Sequence, residues 1–213
     1  MVAVALALSV VVVADERAVA GSQARIDRQT RGNDPDTLLG EMLRSGSALG
    51  RHPSRATLTD ALMIVLWAQA RPDDPRRAAL LAEANELATR AARSRPYWGE
   101  AWAVVAFARS LQGAAAAVDA DVALAASYRA TPYLRHAAAW RVRYGLGAFE
   151  RLDASTRARI VDEAVWIARI DPASLDAIVD ASRGSDAYFP LLLRWRAMRE
   201  NDADWQARGR LAP

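Results

Sequence analysis

Proline residues recur along this chain at intervals that match the length of a helical hairpin. Pro96 follows Pro53 by 43 residues, Pro132 follows Pro96 by 36, and Pro172 follows Pro132 by 40. Proline is favoured at the first position of a helix and is excluded from its interior, so several prolines that follow a capping side chain predict helix starts: Asp34-Pro35, Asp74-Pro75, Thr131-Pro132 and Asp171-Pro172. Spacings of about 34 to 47 residues are typical of helical repeats.

Apolar residues between these prolines repeat every three or four positions, which is the period of an amphipathic helix. Examples are the stripes Leu58-Ala61-Leu62-Val65-Leu66, Leu80-Leu81-Ala84-Leu87-Ala88, Trp98-Trp102-Val105-Ala106 and Ile160-Ala164-Ile167-Ala168. No stretch alternates convincingly with period two, and no Asn-Gly or Asp-Gly pair marks a β-hairpin. The sequence therefore predicts an all-α fold, with Gly46, Gly113 and Gly184 at helix ends.

The predicted helices come in pairs, and the pairs recur. A single helical hairpin cannot bury its apolar face alone, so we expect the pairs to stack into a tetratricopeptide-like α-solenoid with an extended docking surface. The predicted pairs are residues 57–70 with 75–93, 97–112 with 118–130, 133–150 with 154–170, and 172–183 with 187–200. The repeat domain is expected to cover residues 53–213, after a connecting helix and linker over residues 21–52.

The N-terminal segment, residues 1–20, has the pattern of a signal or membrane anchor. Residues 2–14 are apolar except for Ser9, and Ala18-Val19-Ala20 is a small-x-small pattern suited to cleavage. We expect a body anchored at the inner membrane on the periplasmic side, or a chain exported with a cleaved signal. Arg25, Arg28 and Arg31 instead favour a cytoplasmic body by the positive-inside rule. The remaining alternative is an apolar N-terminal segment buried in the globular core.

The composition excludes several classes of chemistry. The chain has no cysteine, and all 28 of its basic residues are arginine. Disulfides, cysteine-bound metals, cysteine nucleophiles and lysine-dependent chemistry are therefore excluded. The net charge is only +3, and arginines are interleaved with acids along the chain, which argues against nucleic acid as a partner.

Residues that could support catalysis or bind metals are few. His52 and His136 are too few to predict a metal site. Asp162 and Glu163 are adjacent on a predicted helix, so their side chains diverge, and we interpret both as part of a solvated helix face. The small residues of Gly145-Leu146-Gly147 indicate close helix packing rather than a nucleotide site. We therefore predict no catalytic residue and no cofactor.

The tryptophans allow two interpretations. In a stack of helical repeats they fill the space between helices. Alternatively they form a surface for a protein partner or a glycan, together with nearby arginines; Arg141 and Arg143 flank Val142, so they point apart and cannot both line one groove. The candidate partner-binding residues are Trp98, Trp102, Arg109, Trp140 and Arg141.

Two motif sets resemble known families. The segment from Ser94 to Trp102 is similar to the first helix of a tetratricopeptide unit, in which a tryptophan follows a proline. Residues 50–180 resemble the VpsP-type proteins encoded with exopolysaccharide genes in Gram-negative bacteria. The motifs that carry this resemblance are Trp67-Ala68, Arg95-Pro96-Tyr97-Trp98, Thr131-Pro132-Tyr133-Leu134, Gly145-Leu146-Gly147-Ala148-Phe149 and Leu152-Asp153-Ala154-Ser155-Thr156-Arg157.

The resemblance implies a small membrane-anchored protein with tetratricopeptide-like helices, and it carries no catalytic residue. The expected function is a non-catalytic scaffold or adaptor at the cell envelope, where it holds protein partners of an exopolysaccharide assembly or export machine. One alternative is a soluble tetratricopeptide-like peptide-binding module or co-chaperone. The other is a helical enzyme that acts on glycans, which would need a pair of carboxylates in a cleft.

Overall fold

The computed structural model describes the backbone of residues 54–209 and the side chains of residues 55–202. Over this range the chain is helical and contains no strand, which confirms the prediction of an all-α fold. The described α-helices are α1 (Ser54–Ala70), α2 (Arg77–Ser94), α3 (Gly99–Ser110), α4 (Ala117–Ala130), α5 (Ala138–Gly147), α6 (Ala154–Ile170), α7 (Leu175–Ser182) and α8 (Tyr188–Gly209). The predicted segments 1–20 and 21–52, with His52 and Gly46, and also Pro53, lie outside the described residues.

The chain divides into two compact units, and the boundary between Ala123 and Leu124 falls inside α4. Short 3₁₀ helices precede or follow several α-helices, at Ala114–Ala116, Phe149–Arg151 and Pro172–Ser174. Gly113 and Gly184, both predicted at helix ends, have φ angles of 94° and 77°. Only glycine adopts this left-handed region without strain, so both positions need that residue.

In the first unit, α1 and α2 are joined by a six-residue loop (residues 71–76) and pack together as a helical hairpin, against which α3 also packs. The apolar stripes predicted from the sequence form part of its core: Ala61, Val65, Leu81, Ala84, Ala88 and Val105 are buried, whereas Leu62, Leu66, Trp98 and Trp102 are half-buried. Arg77 adds polar links, since its guanidinium donates to the carbonyl oxygens of Ala68 (3.1 Å) and Leu111 (2.9 Å).

In the second unit, α6 is the central helix and packs against α5, α7 and α8. The close approach of α5 and α6 depends on Gly145, because a Cβ atom there would lie 2.6 Å from Cδ1 of Ile160. The prediction that Gly145 permits close packing is confirmed. At Gly147, in contrast, a Cβ atom would meet no other atom within 4 Å.

The starts of α5 and α6 differ in how well the sequence signals them. α6 begins at Ala154, as predicted, because the Asp153 carboxylate accepts hydrogen bonds from the Thr156 amide (3.0 Å) and hydroxyl (2.6 Å). These bonds lower the pKa of Asp153. The predicted start of α5 directly after Pro132 is wrong, because residues 131–137 form a loop and the helix begins at Ala138.

Candidate functional site

Two of the candidate surface tryptophans lie around the start of α3 in the first unit. Trp98 and Trp102 are both half-buried. The Trp102 indole N–H donates to the Pro96 carbonyl oxygen at 3.0 Å, and the guanidinium carbon of Arg95 lies 5.6 Å from the centre of the Trp98 ring. Both side chains thus stabilise the turn that leads into α3, while part of each ring stays accessible.

Arg109 is also half-buried, and its guanidinium connects three segments of the first unit. Its Nε donates to the Asn85 side-chain oxygen of α2 at 3.0 Å, and its Nη1 donates to the Asp119 carbonyl oxygen at 3.2 Å. Because these bonds engage two of its donor nitrogens, Arg109 serves the packing of its own unit. Fewer N–H groups of Arg109 are therefore available to a partner than the sequence suggests.

The remaining candidates, Trp140 and Arg141, are neighbours on α5 in the second unit, but their environments differ. Trp140 is half-buried and stacks on Tyr144, with ring centres 5.3 Å apart and planes 8° apart. Arg141 is completely buried. The prediction that Arg141 belongs to a partner-binding surface is therefore wrong. Arg143, two residues further on, is exposed, which confirms that the two arginines point apart.

The Arg141 guanidinium occupies a buried polar site in which each of its five N–H groups has an acceptor. The Glu163 carboxylate accepts from Nε at 3.0 Å and forms a second, short hydrogen bond with Nη2. The Ser127 hydroxyl (3.1 Å) and the carbonyl oxygens of Thr131 (2.9 Å) and Pro132 (2.8 Å) accept the other N–H groups. We call these residues the Arg141 network.

Glu163 is completely buried, so the interpretation of Asp162 and Glu163 as one solvated face is wrong for Glu163. Its carboxylate also accepts a hydrogen bond from the Leu134 amide at 3.0 Å. Glu163 was missed although the sequence carries a signal for it. It lies three residues after Ile160 and four before Ile167, within the apolar stripe of α6, and a charge at such a position indicates a buried ion pair.

Tyr128 completes the apolar side of the network. Its ring is fully buried, and the Arg141 guanidinium carbon lies 4.1 Å from the ring centre, which gives a cation–π contact. Its hydroxyl group is also buried and has no hydrogen-bond partner among the described residues. Burial and the negative charge of Glu163 raise the pKa of Tyr128 well above its usual value, so the phenol is neutral.

The network determines the conformation of the loop at residues 131–137. Two loop carbonyl groups are bonded to Arg141 and one loop amide is bonded to Glu163, so these groups are not available for a helical turn at residue 133. The loop carries Tyr133, which is 51 % exposed and whose ring centre lies 5.6 Å from that of Trp166. A buried ion pair thus holds an exposed aromatic side chain in a fixed position.

Tyr133 lies at the edge of a depression of about 370 Å³ whose other lining residues include Ser155, Ala158 and Asp162 of α6. A second depression, of about 640 Å³, shares Ala158 and Asp162 with the first and extends to Pro190 and Arg194 of α8. Since they share these residues, the two depressions adjoin along one face of α6. We call the combined surface the α6 groove.

The α6 groove combines apolar surface with fixed charges. Arg194 donates to the Asp162 carboxylate at 2.7 Å, and both side chains are at least partly exposed. Arg159 and Arg157 are held by backbone carbonyls, with bonds of 2.9 Å to Tyr128 and 2.7 Å to Leu152. Arginine and tyrosine are enriched among the residues that contribute most to protein–protein binding energy. The groove therefore has the composition of a protein-binding surface.

Potential metal ligands and buried acids are few among the described residues. No cluster of three or more potential metal ligands occurs in residues 55–202, and His136 is exposed in the loop before α5. In the second unit Glu163 is a buried acid whose carboxylate is hydrogen-bonded to the Arg141 guanidinium. Within residues 54–209, no helix combines the length and the apolar character that crossing a membrane requires.

A comparison of the chain with known proteins found no family model, no curated protein and no solved structure that matches it.

Proposed function

We propose that the protein is a non-catalytic scaffold whose second unit binds a protein partner through the α6 groove, with Tyr133 as the main anchor. The observation that carries this proposal is that the completely buried Arg141 and Glu163 hold the loop backbone on both sides of the half-exposed Tyr133 through part-buried hydrogen bonds. A side chain held in its binding position before the partner arrives loses little conformational entropy on binding. Tyrosines placed in this way are frequent binding hot spots.

We further propose that the helices follow a tetratricopeptide-like arrangement. Two helical hairpins support this architecture, α1 with α2 in the first unit and α5 with α6 in the second. In such repeats, successive hairpins share their apolar faces and leave a docking surface. Proteins of this architecture bind peptides or partner proteins much more often than they catalyse reactions.

The partner class follows from the resemblance of residues 50–180 to VpsP-type proteins. On that basis we propose that the partners belong to a machine for exopolysaccharide assembly or export. We propose that the N-terminal residues 1–20 attach the chain to the inner membrane, with the body in the periplasm. This scaffold role requires no cofactor and no nucleic acid.

A pair of tyrosine variants tests the binding surface. Full-length chains carrying Tyr133→Ala or Tyr97→Ala are used to capture partners from membranes of the source cells. Tyr97 is the matched control because it is 89 % exposed and belongs to the first unit. Loss of a hot-spot tyrosine is expected to cost about 2 kcal/mol, a factor of about 30 in affinity. Envelope polysaccharide proteins should therefore be captured by the Tyr97→Ala variant and lost with Tyr133→Ala.

Two outcomes would contradict the proposal at different levels. If both variants retain the same polysaccharide-related proteins, the α6 groove is not the binding surface. If deletion of the gene leaves polymer production unchanged, the role in polysaccharide assembly is wrong. Fractionation separates this role from the alternative of a soluble peptide-binding module, because that alternative requires the full-length chain in the cytosol.

A further inference from the structure

The second unit has another concavity, which the α6 groove does not include. It is a pocket of about 200 Å³ lined by residues of α5, α6, α7 and the 3₁₀ turn that precedes α7. Apolar side chains such as Leu146, Ile167 and Ile178 form most of its wall. The pocket is open to solvent at Ala139, Ala177 and Ala181, and its apolar wall is suited to the apolar part of a ligand.

Arg143 is the charged residue among those that line this pocket. It is exposed, and no carboxylate in the described part of the chain is paired with it. The other arginines of the second unit discussed above are engaged: Arg141 with Glu163, Arg194 with Asp162, and Arg159 with a carbonyl oxygen. An unpaired guanidinium beside an apolar cavity is complementary to a ligand with one anionic end and one apolar end.

The size of the pocket limits the apolar end. A cavity of roughly 150 Å³ accommodates benzene, so a pocket of about 200 Å³ accommodates an apolar group of about six to eight carbon atoms. We propose that this pocket binds a small organic monocarboxylate, with its alkyl or aromatic group against Leu146, Ile167 and Ile178 and its carboxylate paired with Arg143. This inference uses none of the residues of the α6 groove and does not depend on the proposed scaffold function.

The proposal can be tested by NMR titration of the full-length protein with butanoate, hexanoate, octanoate and decanoate. Each buried methylene is expected to increase the affinity by up to about fourfold. The increase should stop once the pocket is full, and the shifted amides should lie in α5 and α7. An affinity that keeps rising to decanoate, or shifts spread over the surface, would indicate non-specific adsorption and overturn the proposal.

Two matched pairs of variants separate charge from shape. Arg143→Gln should weaken hexanoate binding about three- to fivefold and leave hexan-1-ol binding unchanged, because the ion pair is exposed to solvent. Arg135→Gln, at an exposed arginine outside the pocket, should change neither. Ala177→Leu should fill the pocket and abolish binding of both ligands, whereas Ala173→Leu adds the same bulk elsewhere and should not.

Three results would contradict the proposed ligand site. If Arg135→Gln weakens hexanoate binding as much as Arg143→Gln does, the effect is general electrostatics and the assigned site is wrong. If Ala177→Leu retains full affinity while its melting curve matches that of the unmodified protein, the ligand is not in this pocket. If an acetylated peptide ending in leucine binds much more tightly than hexanoate, the ligand is a protein terminus and not a small carboxylate.

Discussion

At the scale of single residues, the ion pair between Arg141 and Glu163 places two opposite charges completely out of contact with water. Removing two charges from water is unfavourable by several kcal/mol per ion, and only close pairing with full hydrogen bonding offsets this cost. The guanidinium meets that condition through Glu163, a hydroxyl and two carbonyl oxygens. Loss of either charge would leave the other buried and uncompensated.

We therefore predict that Glu163→Gln lowers the free energy of unfolding by about 3–5 kcal/mol, the usual loss for a broken buried pair. The adjacent Asp162→Asn is the control, because it removes a carboxylate from an exposed pair with Arg194 and should cost less than about 1 kcal/mol. Urea unfolding followed by circular dichroism measures both. Equal losses in the free energy of unfolding for the two variants would show that the buried ion pair is no more important for stability than the exposed one.

Tyr128 presents the opposite case, a buried polar group without a partner. A buried hydroxyl that makes no hydrogen bond costs about 1–3 kcal/mol. Tyr128→Phe removes this hydroxyl and should raise the free energy of unfolding by up to about 1 kcal/mol, because the space that the oxygen filled is lost as packing. The ring stays in place beneath the Arg141 guanidinium, so the cation–π contact is kept. A loss of stability in this variant would mean that the hydroxyl has a partner.

The same residue gives a pH dependence with a definite sign. The pKa of Tyr128 is raised in the folded chain above its ordinary value of 10.0, so the neutral phenol is favoured by folding. The contribution of the neutral phenol to the free energy of unfolding is fully present below pH 10, and it is lost as the pH rises above that value. Between about pH 9 and 11, the free energy of unfolding of the Tyr128→Phe variant should therefore decline less steeply than that of the unmodified protein.

At the scale of secondary-structure elements, α5 carries two glycines with different surroundings, and only Gly145 lies at the contact with α6. Alanine is normally better than glycine in a helix by about 1 kcal/mol. At Gly145 a Cβ atom would lie 2.6 Å and 2.9 Å from side-chain atoms of the buried Ile160, whereas at Gly147 it would meet nothing within 4 Å. Gly145→Ala and Gly147→Ala add the same methyl group, but only position 147 has space for it.

Gly145→Ala should consequently destabilise the protein by about 1–3 kcal/mol, the range for an overpacked core, and Gly147→Ala should be neutral or stabilising. Thermal unfolding of the two variants measures the contrast. Combining Gly145→Ala with Ile160→Val removes the closest methyl group and should recover part of the loss. If the single Gly145 variant is as stable as the Gly147 variant, α5 and α6 are not in the close contact described.

The helices also show how far local sequence signals reach. The bounds of α6 were predicted correctly because its signals are local: a capping aspartate at Asp153 and an apolar stripe that includes Ile160. The start of α5 was missed because it depends on hydrogen bonds from the loop to Arg141 and Glu163, which lie further along the chain. The apolar stripe of α6 indicates that Glu163 is buried, but it does not show which groups of the loop bond to it.

The candidate site was predicted less well than the fold, for a related reason. The tryptophans and Arg141 were selected by residue type, but burial decides what an arginine can reach, and Arg141 is enclosed. In the sequence Tyr133 stands out only within the motif Thr131-Pro132-Tyr133-Leu134, and its exposure results from the loop conformation. The resemblance to VpsP-type proteins and the placement at the cell envelope stay predictions that partner capture and fractionation can test.

At the scale of the whole molecule, the chain forms two compact units whose boundary falls within α4. Units with their own cores commonly open as separate cooperative blocks in hydrogen exchange. We predict that Glu163→Gln lowers the exchange protection of α5 and α6, while the amides of α1 and α2 keep most of theirs. Native-state hydrogen exchange with mass spectrometry measures this difference. An equal loss in α1 and α2 would show that the described chain unfolds as one block.

The loop that carries Tyr133 has a further consequence for how the second unit is completed during synthesis. Leu134 and Arg141 are bonded to Glu163, which follows them by 29 and 22 residues. Until α6 has emerged from the ribosome and docked, the loop lacks the carboxylate that orders it, so the tyrosine reaches its final orientation late. The partner proposed above, if it recognises this orientation, would therefore bind the completed second unit and not the nascent one.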